Sequence, residues 1–262
     1  MRLLAAICVL GLSSCSAPVH RPLPEPAPQS LRILTWNVNW GVGHPDRVAD
    51  FIRMARADIV CLQETNAEWE AELAARVGDL YPHREFRESE GRMGGGMAFL
   101  SKRRGQEVAY IRSTTGWFDG WIMRFDHAGT EVPVLNVHLR PPVSDSGSAV
   151  SGYITTSDDR ESEIIRFAEQ LDPHRANLVC GDFNESTRGA AVRYLEKKGM
   201  LNVLPQFDRS SPTWEWPTPV MTLRRRMDHL MVQACSWRCL HAQVVRIHAS
   251  DHFPVVADLV RR

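Results

Sequence analysis

Six short apolar stretches of this chain run into a polar residue where the stretch ends or begins, and this limits the possible folds more than any other feature. Leu31–Val38 carries Asn37 near its end, Ile59–Leu62 is followed by Glu64, and Val132–His138 closes on His138. Asn177–Cys180 leads into Asp182 and Asn184, Asp228–Gln233 opens on Asp228, and Val255–Leu259 is preceded by Asp251 and His252. Short apolar runs bounded by turn signals read as buried strands. Strand ends in packed sheets converge on one rim, so these side chains can share one pocket. Any one of them alone reads as a cap, a turn or a satisfied core polar group. Six such placements are not explained that way.

The remaining pattern suits such a rim. Val48, Phe51, Ile52 and Ala55 have helical spacing within Asp46–Ala57, and Trp69–Val77, Arg160–Leu171 and Gly189–Lys198 read as further helices. Met97–Leu100, Trp121–Phe125 and Ala242–Ile247 add strands, while Gly91–Gly96 reads as a turn and 141–156, rich in Pro, Ser, Gly and Thr, as a surface loop. The strands come both as hairpin-like pairs and as strand–helix alternations, which fits two sheets with helices outside better than a plain parallel sheet. With 262 residues and 44% apolar content the chain can bury a sizeable core. Its 31 basic residues balance 31 acidic ones, so it lacks the broad positive field common in nonspecific nucleic-acid binders. Charge leaves the substrate class open.

The first residues point to export. Met1-Arg2, the apolar run Leu3–Leu12 and the small residues before Cys15 have the layout of a secretory signal. The run is about half of the roughly 20 residues a membrane-spanning helix needs. Leu12-Ser13-Ser14-Cys15 resembles a bacterial lipoprotein signal, which implies acylation of Cys15 and a lipid bilayer as partner. Ser16, in place of an acidic residue, favours the outer membrane. Expected boundaries are a signal at 1–14, a lipidated cysteine and proline-rich tether at 15–30, and one domain at 31–262. Cys61 and Cys180 lie in apolar strands and read as buried thiols. Cys235 and Cys239 flank a turn that a disulfide could close in an oxidising compartment.

Thr35-Trp36-Asn37-Val38, Leu62-Gln63-Glu64, Asn136-Val137-His138-Leu139, Gly181-Asp182-Phe183-Asn184, Arg226-Met227-Asp228-His229 and Ser250-Asp251-His252-Phe253-Pro254 together resemble the ordered motifs of the endonuclease/exonuclease/phosphatase superfamily. The resemblance runs from Leu31 to about Leu259. It implies an α/β fold, a four-layer sandwich of two packed, mostly antiparallel β-sheets flanked by α-helices. It also implies a hydrolase of phosphate esters that uses Mg²⁺ or Mn²⁺. Phosphate ester hydrolysis needs charge neutralisation at the phosphoryl oxygens, an oriented water and help for the leaving oxygen. By the resemblance Asn37 and Glu64 are metal ligands, and Asp251 is a ligand or supports one. Asp182 prepares the attacking water, and Asn184 orients it or holds a phosphoryl oxygen. His138 and His252 stabilise developing charge, and Asp228 fixes the tautomer of His252.

Arg140 and Arg226 are further candidates for contact with a substrate phosphate, Arg140 because it follows His138 by two positions and Arg226 because it precedes Asp228 by two. Trp117, Trp121, Trp214 and Trp216 read as core or rim packing. His229, next to Asp228, is expected to point away from the site. Nucleic acid, phospholipid and small phosphorylated molecules all remain possible substrates, and no feature signals an oligomer. The alternative function is a catalytically inactive binding module on the same scaffold, which would usually have lost one of the motif residues.

Overall fold

The computed structural model describes residues 22–88, 94–142 and 156–262. The signal segment, Cys15, Gly91–Met93 and residues 143–155 of the expected loop lie outside them.

Two six-stranded sheets pack face to face. In the first the order is β13 (Trp237–Val244), β14 (Val255–Arg261), β1 (Leu31–Asn37), β2 (Ile59–Thr65), β4 (Gly96–Ser101) and β3 (His83–Arg87). In the second it is β5 (Gly105–Ile111), β6 (Gly120–His127), β7 (Thr130–His138), β8 (Leu178–Asp182), β12 (Asp228–Gln233) and β9 (Met200–Asn202). A separate hairpin pairs β10 (Trp214–Pro217) with β11 (Thr222–Arg225). Neighbours are antiparallel except for one parallel pair in each sheet, β1 with β2 and β7 with β8. A parallel pair needs a crossover. Helix α1 (Pro45–Ala55) supplies it in the first sheet and α3 (Ser157–Ala168) in the second. Both pairs therefore end at the same rim, and ligands collect at the carboxyl ends of parallel strands.

Period-two alternation sorts the side chains into layers. Ile33, Cys61, Val134, Leu178, Leu230 and Val255 face inward and form the core between the sheets. Val60, Leu62 and Val256 face outward from the first sheet against α1 and α2 (Ala67–Val77). Leu135, Val179 and Met231 face outward from the second sheet against α3 and α4 (Ala190–Lys197). The four-layer expectation holds. Helix α1 starts on Pro45, whose fixed φ suits a first turn, and stops where Arg56 turns left-handed at φ 54°. Asn66 caps α2 by accepting from Trp69 N at 3.0 Å. A short helix, α5 (Leu204–Phe207), follows β9.

Three expectations change. Residues 22–30 do not hang free: Pro24 O accepts from the buried Arg32 Nη2 at 2.6 Å, and Leu23 packs on the outer core of the first sheet. Proline favours an extended strand but does not prevent docking when a buried guanidinium claims its carbonyl. Cys235 and Cys239 are free thiols, Cys239 donating to His241 O at 3.1 Å across a bulge that redirects β13. Strands β3, β5, β9, β10 and β11 were not visible in the pattern because they lie at sheet edges or in the separate hairpin and carry no run of buried apolar residues. Cys61 and Cys180 are buried as expected. Among the described residues no helix is long and apolar enough to cross a membrane.

Candidate active site

The four parallel strands each deliver a polar side chain to one rim. Asn37 ends β1, and its Nδ2 donates to Glu64 Oε1 at 2.9 Å and to Asp182 Oδ2 at 3.1 Å, bridging the two sheets. His138 ends β7 and sits in register with Asp182 at the end of β8. His138 Nε2 lies 3.8 Å from Glu64 Oε1 and 3.7 Å from Asp182 Oδ2. Asp228, at the start of antiparallel β12, is also in register with Asp182. Its Oδ2 accepts from His252 Nδ1 at 2.9 Å, and His252 Nε2 lies 3.6 Å from Asp182 Oδ2.

Local backbone choices aim these groups. Alternation from the inward Gln63 would turn Glu64 outward, toward the helices. Instead Glu64 has φ 58°, at a register shift between β2 and β4, and its carboxylate enters the site. Asn39 at φ 50° and Asn184 at φ 53° are also left-handed, so three of the six non-glycine residues with positive φ among the described residues surround this rim. Such conformations are costly for residues other than glycine and gather at functional sites. Asn184 N donates to Asp182 Oδ1 at 2.8 Å, and its Nδ2 donates to Leu139 O at 2.9 Å. Gly181 has φ 139°, and a Cβ there would lie 1.9 Å from Val137 O, so only glycine lets β8 approach β7 this closely.

Burial sets the charges. Asp182 is pushed up to about 7, first by burial and then by Asp228, with His252 opposing. Glu64 is raised by burial, partly offset by the Asn37 hydrogen bond. Burial on its own would lower His252, but Asp228 and Asp182 overrule it and hold the imidazolium at about 10. His138 is held well below its ordinary range by burial and by the positive His252, so it stays neutral. One imidazolium therefore faces Glu64, Asp182, Asp228 and the nearby Asp251. Asp228 Oδ1 is buried with no hydrogen-bond partner.

That imbalance suits a divalent cation. Asp182, Asp228 and His252 present ligand atoms within 4.8 Å of one another. His252 is protonated and committed to Asp228, so the carboxylates are the better donors, and hard oxygen donors suit Mg²⁺ or Mn²⁺. Glu64 and Asp182 both accept from Asn37 Nδ2, but Glu64 lies outside the group of ligand atoms within 4.8 Å of one another, so one ion shared by the two would require their carboxylates to move closer. As a ligand Asn37 has to offer Oδ1, which here accepts from Asn39 N at 3.0 Å, so its amide must turn over. Asp251, expected as a ligand or as support for one, meets protein donors with both oxygens. Its Oδ1 accepts from Asn39 Nδ2 at 2.8 Å and its Oδ2 from Trp214 Nε1 at 2.9 Å, so it ties the turn after β1 to the β10–β11 hairpin.

The two candidate phosphate contacts are engaged elsewhere. Arg140 donates to Asp159 Oδ2 at 2.7 Å and lies over Trp117. Arg226 precedes β12, where strand alternation does not apply, and its guanidinium bonds Asp208 Oδ1 and the Ser211 carbonyl. His229 points away from the rim, as expected, and bonds Glu185 O and Asn202. Trp121 is core, and Trp214 stacks parallel to Trp216 on the rim. Two residues of the site carry no sequence signal: Phe118, which stacks on His138 with ring centroids 3.7 Å apart, and Thr213, whose Oγ1 accepts from Asp228 N at 3.0 Å. Both arrive from loops without a motif. Asn39, a residue type that tolerates the left-handed region, was the one legible hint.

These charges make stability depend on pH. Between its ordinary value near 3.8 and about 7, Asp182 holds a proton when folded that it releases on unfolding, so stability falls as pH rises through that window. His252 is stabilising below about 6.5, and that contribution is lost as pH rises through about 10. Below about 6.5 the buried neutral His138 and His229 oppose this, because each takes up a proton on unfolding. Without divalent cation the Tm should therefore fall from about pH 6.5 to pH 9, and Mg²⁺ should flatten the lower part. A metal-free Tm that rises over this range would contradict the charge assignment.

A family model described as Endonuclease/Exonuclease/phosphatase family matches residues 34–252. Among solved structures, an endonuclease/exonuclease/phosphatase from Beutenbergia cavernae DSM 12333 superposes with a TM-score of 0.71 at 21% identity, covering 88% of this chain and 72% of that one. The catalytic domain of human Nocturnin with bound sulfate gives 0.68 at 16% identity, with 90% and 96% covered. A D. rerio TDP2 in complex with a single-strand DNA product gives 0.67 at 18%, with 88% and 98% covered. Among curated proteins no sequence match was found.

Proposed function

The chain belongs to the endonuclease/exonuclease/phosphatase family, and from that premise we propose that it is a divalent-metal-dependent hydrolase of phosphate esters acting by in-line attack of water. The observation that carries this reading is the convergence of Asn37, Glu64, His138, Asp182, Asp228 and His252 on one rim with the spacings given above. Every residue of the six motifs is retained, which favours an enzyme over an inactive module. Phosphodiesters and phosphomonoesters are both candidate substrates. The DNA product held by the TDP2 neighbour makes nucleic acid one class to assay.

In this mechanism Asp182 is the base that orients and deprotonates the attacking water. Asn184 N fixes one oxygen of its carboxylate and leaves the other facing the rim. His252, held protonated by Asp228, stabilises the charge that develops on the phosphoryl oxygens and can give a proton to the leaving oxygen. Neutral His138, pressed flat by Phe118, donates a hydrogen bond without adding charge. A cation held by Glu64 and Asn37 would neutralise phosphoryl charge and leave Asp182 Oδ2 to take the proton of the water. Chelation should abolish hydrolysis of bis-p-nitrophenyl phosphate or p-nitrophenyl phosphate, and Mg²⁺ or Mn²⁺ should restore it. Glu64→Ala should weaken Mn²⁺ binding while the domain stays folded. Full activity in chelator would rule this mechanism out.

Acylation at Cys15 and attachment to the cell envelope, more favourably the outer membrane, belong to the same proposal. The chain enters the fold at the pole where β1 begins, opposite the rim where β1 ends. An anchor at Cys15 would leave the site facing away from its own membrane. Cys15→Ala should release the protein from membranes or stall its processing. A variant that is cut normally and still partitions with membranes would contradict the lipoprotein assignment.

A further inference from the structure

Gln63 and Asn136 link the two sheets one layer beneath the rim, and the chemistry above uses neither. Both are fully buried. Asn136 Nδ2 donates to Leu62 O at 3.0 Å and Ala98 O at 3.4 Å, two carbonyls of the first sheet, which fixes the orientation of its amide. Its Oδ1 therefore faces Gln63 and accepts from Gln63 Nε2 at 2.6 Å. Gln63 Nε2 also reaches Thr35 Oγ1 at 3.1 Å. Below this polar layer the inter-sheet core is apolar, with Ile33, Cys61, Val134 and Leu178. Above it lie the rim groups.

Stability alone does not account for this layer. Gln63 Oε1 is buried without a hydrogen-bond partner. An unmade bond at a buried polar atom is costly, whereas replacing both partners by apolar groups of similar shape is often neutral. What the layer does provide is a directional tie. Gln63 immediately precedes the left-handed Glu64, and Asn136 shares a strand face with His138 two residues later. Asn37 Nδ2 to Asp182, a side-chain tie between the sheets nearer the rim, breaks if Asn37 turns its amide toward a cation. The Gln63–Asn136 bond is independent of that turn.

We propose that Gln63 and Asn136 are positioning residues whose hydrogen bond sets the distance between the sheets at the site, holding Glu64 and Asn37 of one sheet against His138 and Asp182 of the other. This rests on the phosphoesterase reading above. Apolar contacts slide with little penalty, but a short amide–amide bond with a fixed direction does not, so the spacing is kept while Asn37 rearranges.

The test is the double variant Gln63→Met/Asn136→Leu, which conserves volume and removes both amides, at the cost of a donor to Leu62 O, Ala98 O and Thr35 Oγ1. It should fold cooperatively with a somewhat lower Tm than the parent, and its binding and kinetics are compared well below that Tm. Its Mn²⁺ affinity, measured by calorimetry or by electron paramagnetic resonance without substrate, should weaken by about 10–100-fold, the usual effect of losing a group that orients a ligand. Its kcat should fall by a similar factor with KM little changed. Asn136→Ser, smaller and able to bond water, is a second variant in which the same loss of Mn²⁺ affinity is expected. Thr35→Val controls for a general core effect and should keep both properties. Parental Mn²⁺ affinity and kcat in either folded variant overturns the inference. A parent that binds no divalent cation and hydrolyses no phosphate ester would sink the phosphoesterase reading, and this inference with it.

Discussion

Asp182→Asn should lower kcat by at least about 100-fold while the domain stays folded. The carboxylate is the one group at the rim placed to serve as a base. Its Oδ1 is tied down by Asn184 N, and its Oδ2 is surrounded by Asn37 Nδ2, His138 Nε2 and His252 Nε2. General-base catalysis contributes roughly 10²–10⁴-fold. The amide keeps the shape and the bond from Asn184 N but cannot accept a proton. Its new NH₂ group would meet Asn37 Nδ2, and Asn37 can answer by turning its amide to accept. The substitution also removes a buried carboxylate whose charge is unfavourable in the absence of metal. The metal-free variant should therefore be more stable than the parent at pH 8 although it is nearly inactive. Stability and activity moving in opposite directions is the signature to look for. Turnover near the parental rate would remove the base assignment.

The second large effect is a non-additive one. His252→Ala should reduce kcat by about 100-fold or more, from lost charge stabilisation and proton donation. Asp228→Asn should act through His252, because Asp228 Oδ2 meets His252 Nδ1 at 2.9 Å and is one of the charges that hold the imidazolium at about 10. The double variant should then be little slower than His252→Ala alone, since residues that work as one unit do not multiply their losses. Stability follows its own course. His252→Ala leaves the fully buried Asp228 charge unpaired, and breaking a buried pair costs about 3–5 kcal/mol. The double variant removes that charge and should recover part of the loss. The kinetics are therefore compared at a temperature where all four proteins are folded. Rate losses that multiply would show that Asp228 works independently of His252, as a cation ligand through its unpartnered Oδ1.

Much of this site was legible because a strand has a period of two and a packed sheet has two unlike faces. Once Ile33, Val134, Leu178 and Leu230 are taken as inward, Asn37, His138, Asp182 and Asp228 must share their face. The burial of Cys61 and Cys180 and the outward turn of His229 follow from the same count. The helices were legible from their apolar stripes, although α3 begins at Ser157, three residues before the expected start, because polar residues fill its first turn.

What the sequence could not decide was set by contacts distant in the chain. Alternation predicts that Glu64 faces outward, and a left-handed residue at a register shift with β4 turns it inward. Asp251 carries the chemistry of a ligand, but Asn39 and the Trp214 indole, neither of them its neighbour in sequence, claim both of its oxygens. Period-two spacing puts Arg226 on the face of Asp228, yet β12 starts only at Asp228, and the turn at Asp208–Ser211 takes the guanidinium. Residue type and spacing are local properties, so the sequence by itself determined the nine strands with buried apolar runs among the described residues, the faces that regular alternation gives them and which chemistry collects at their ends. Hydrogen-bond partners and inter-sheet distance depend on how separate segments meet, so only the tertiary structure decided which carboxylates remain free to bind a cation and which are committed to holding the fold.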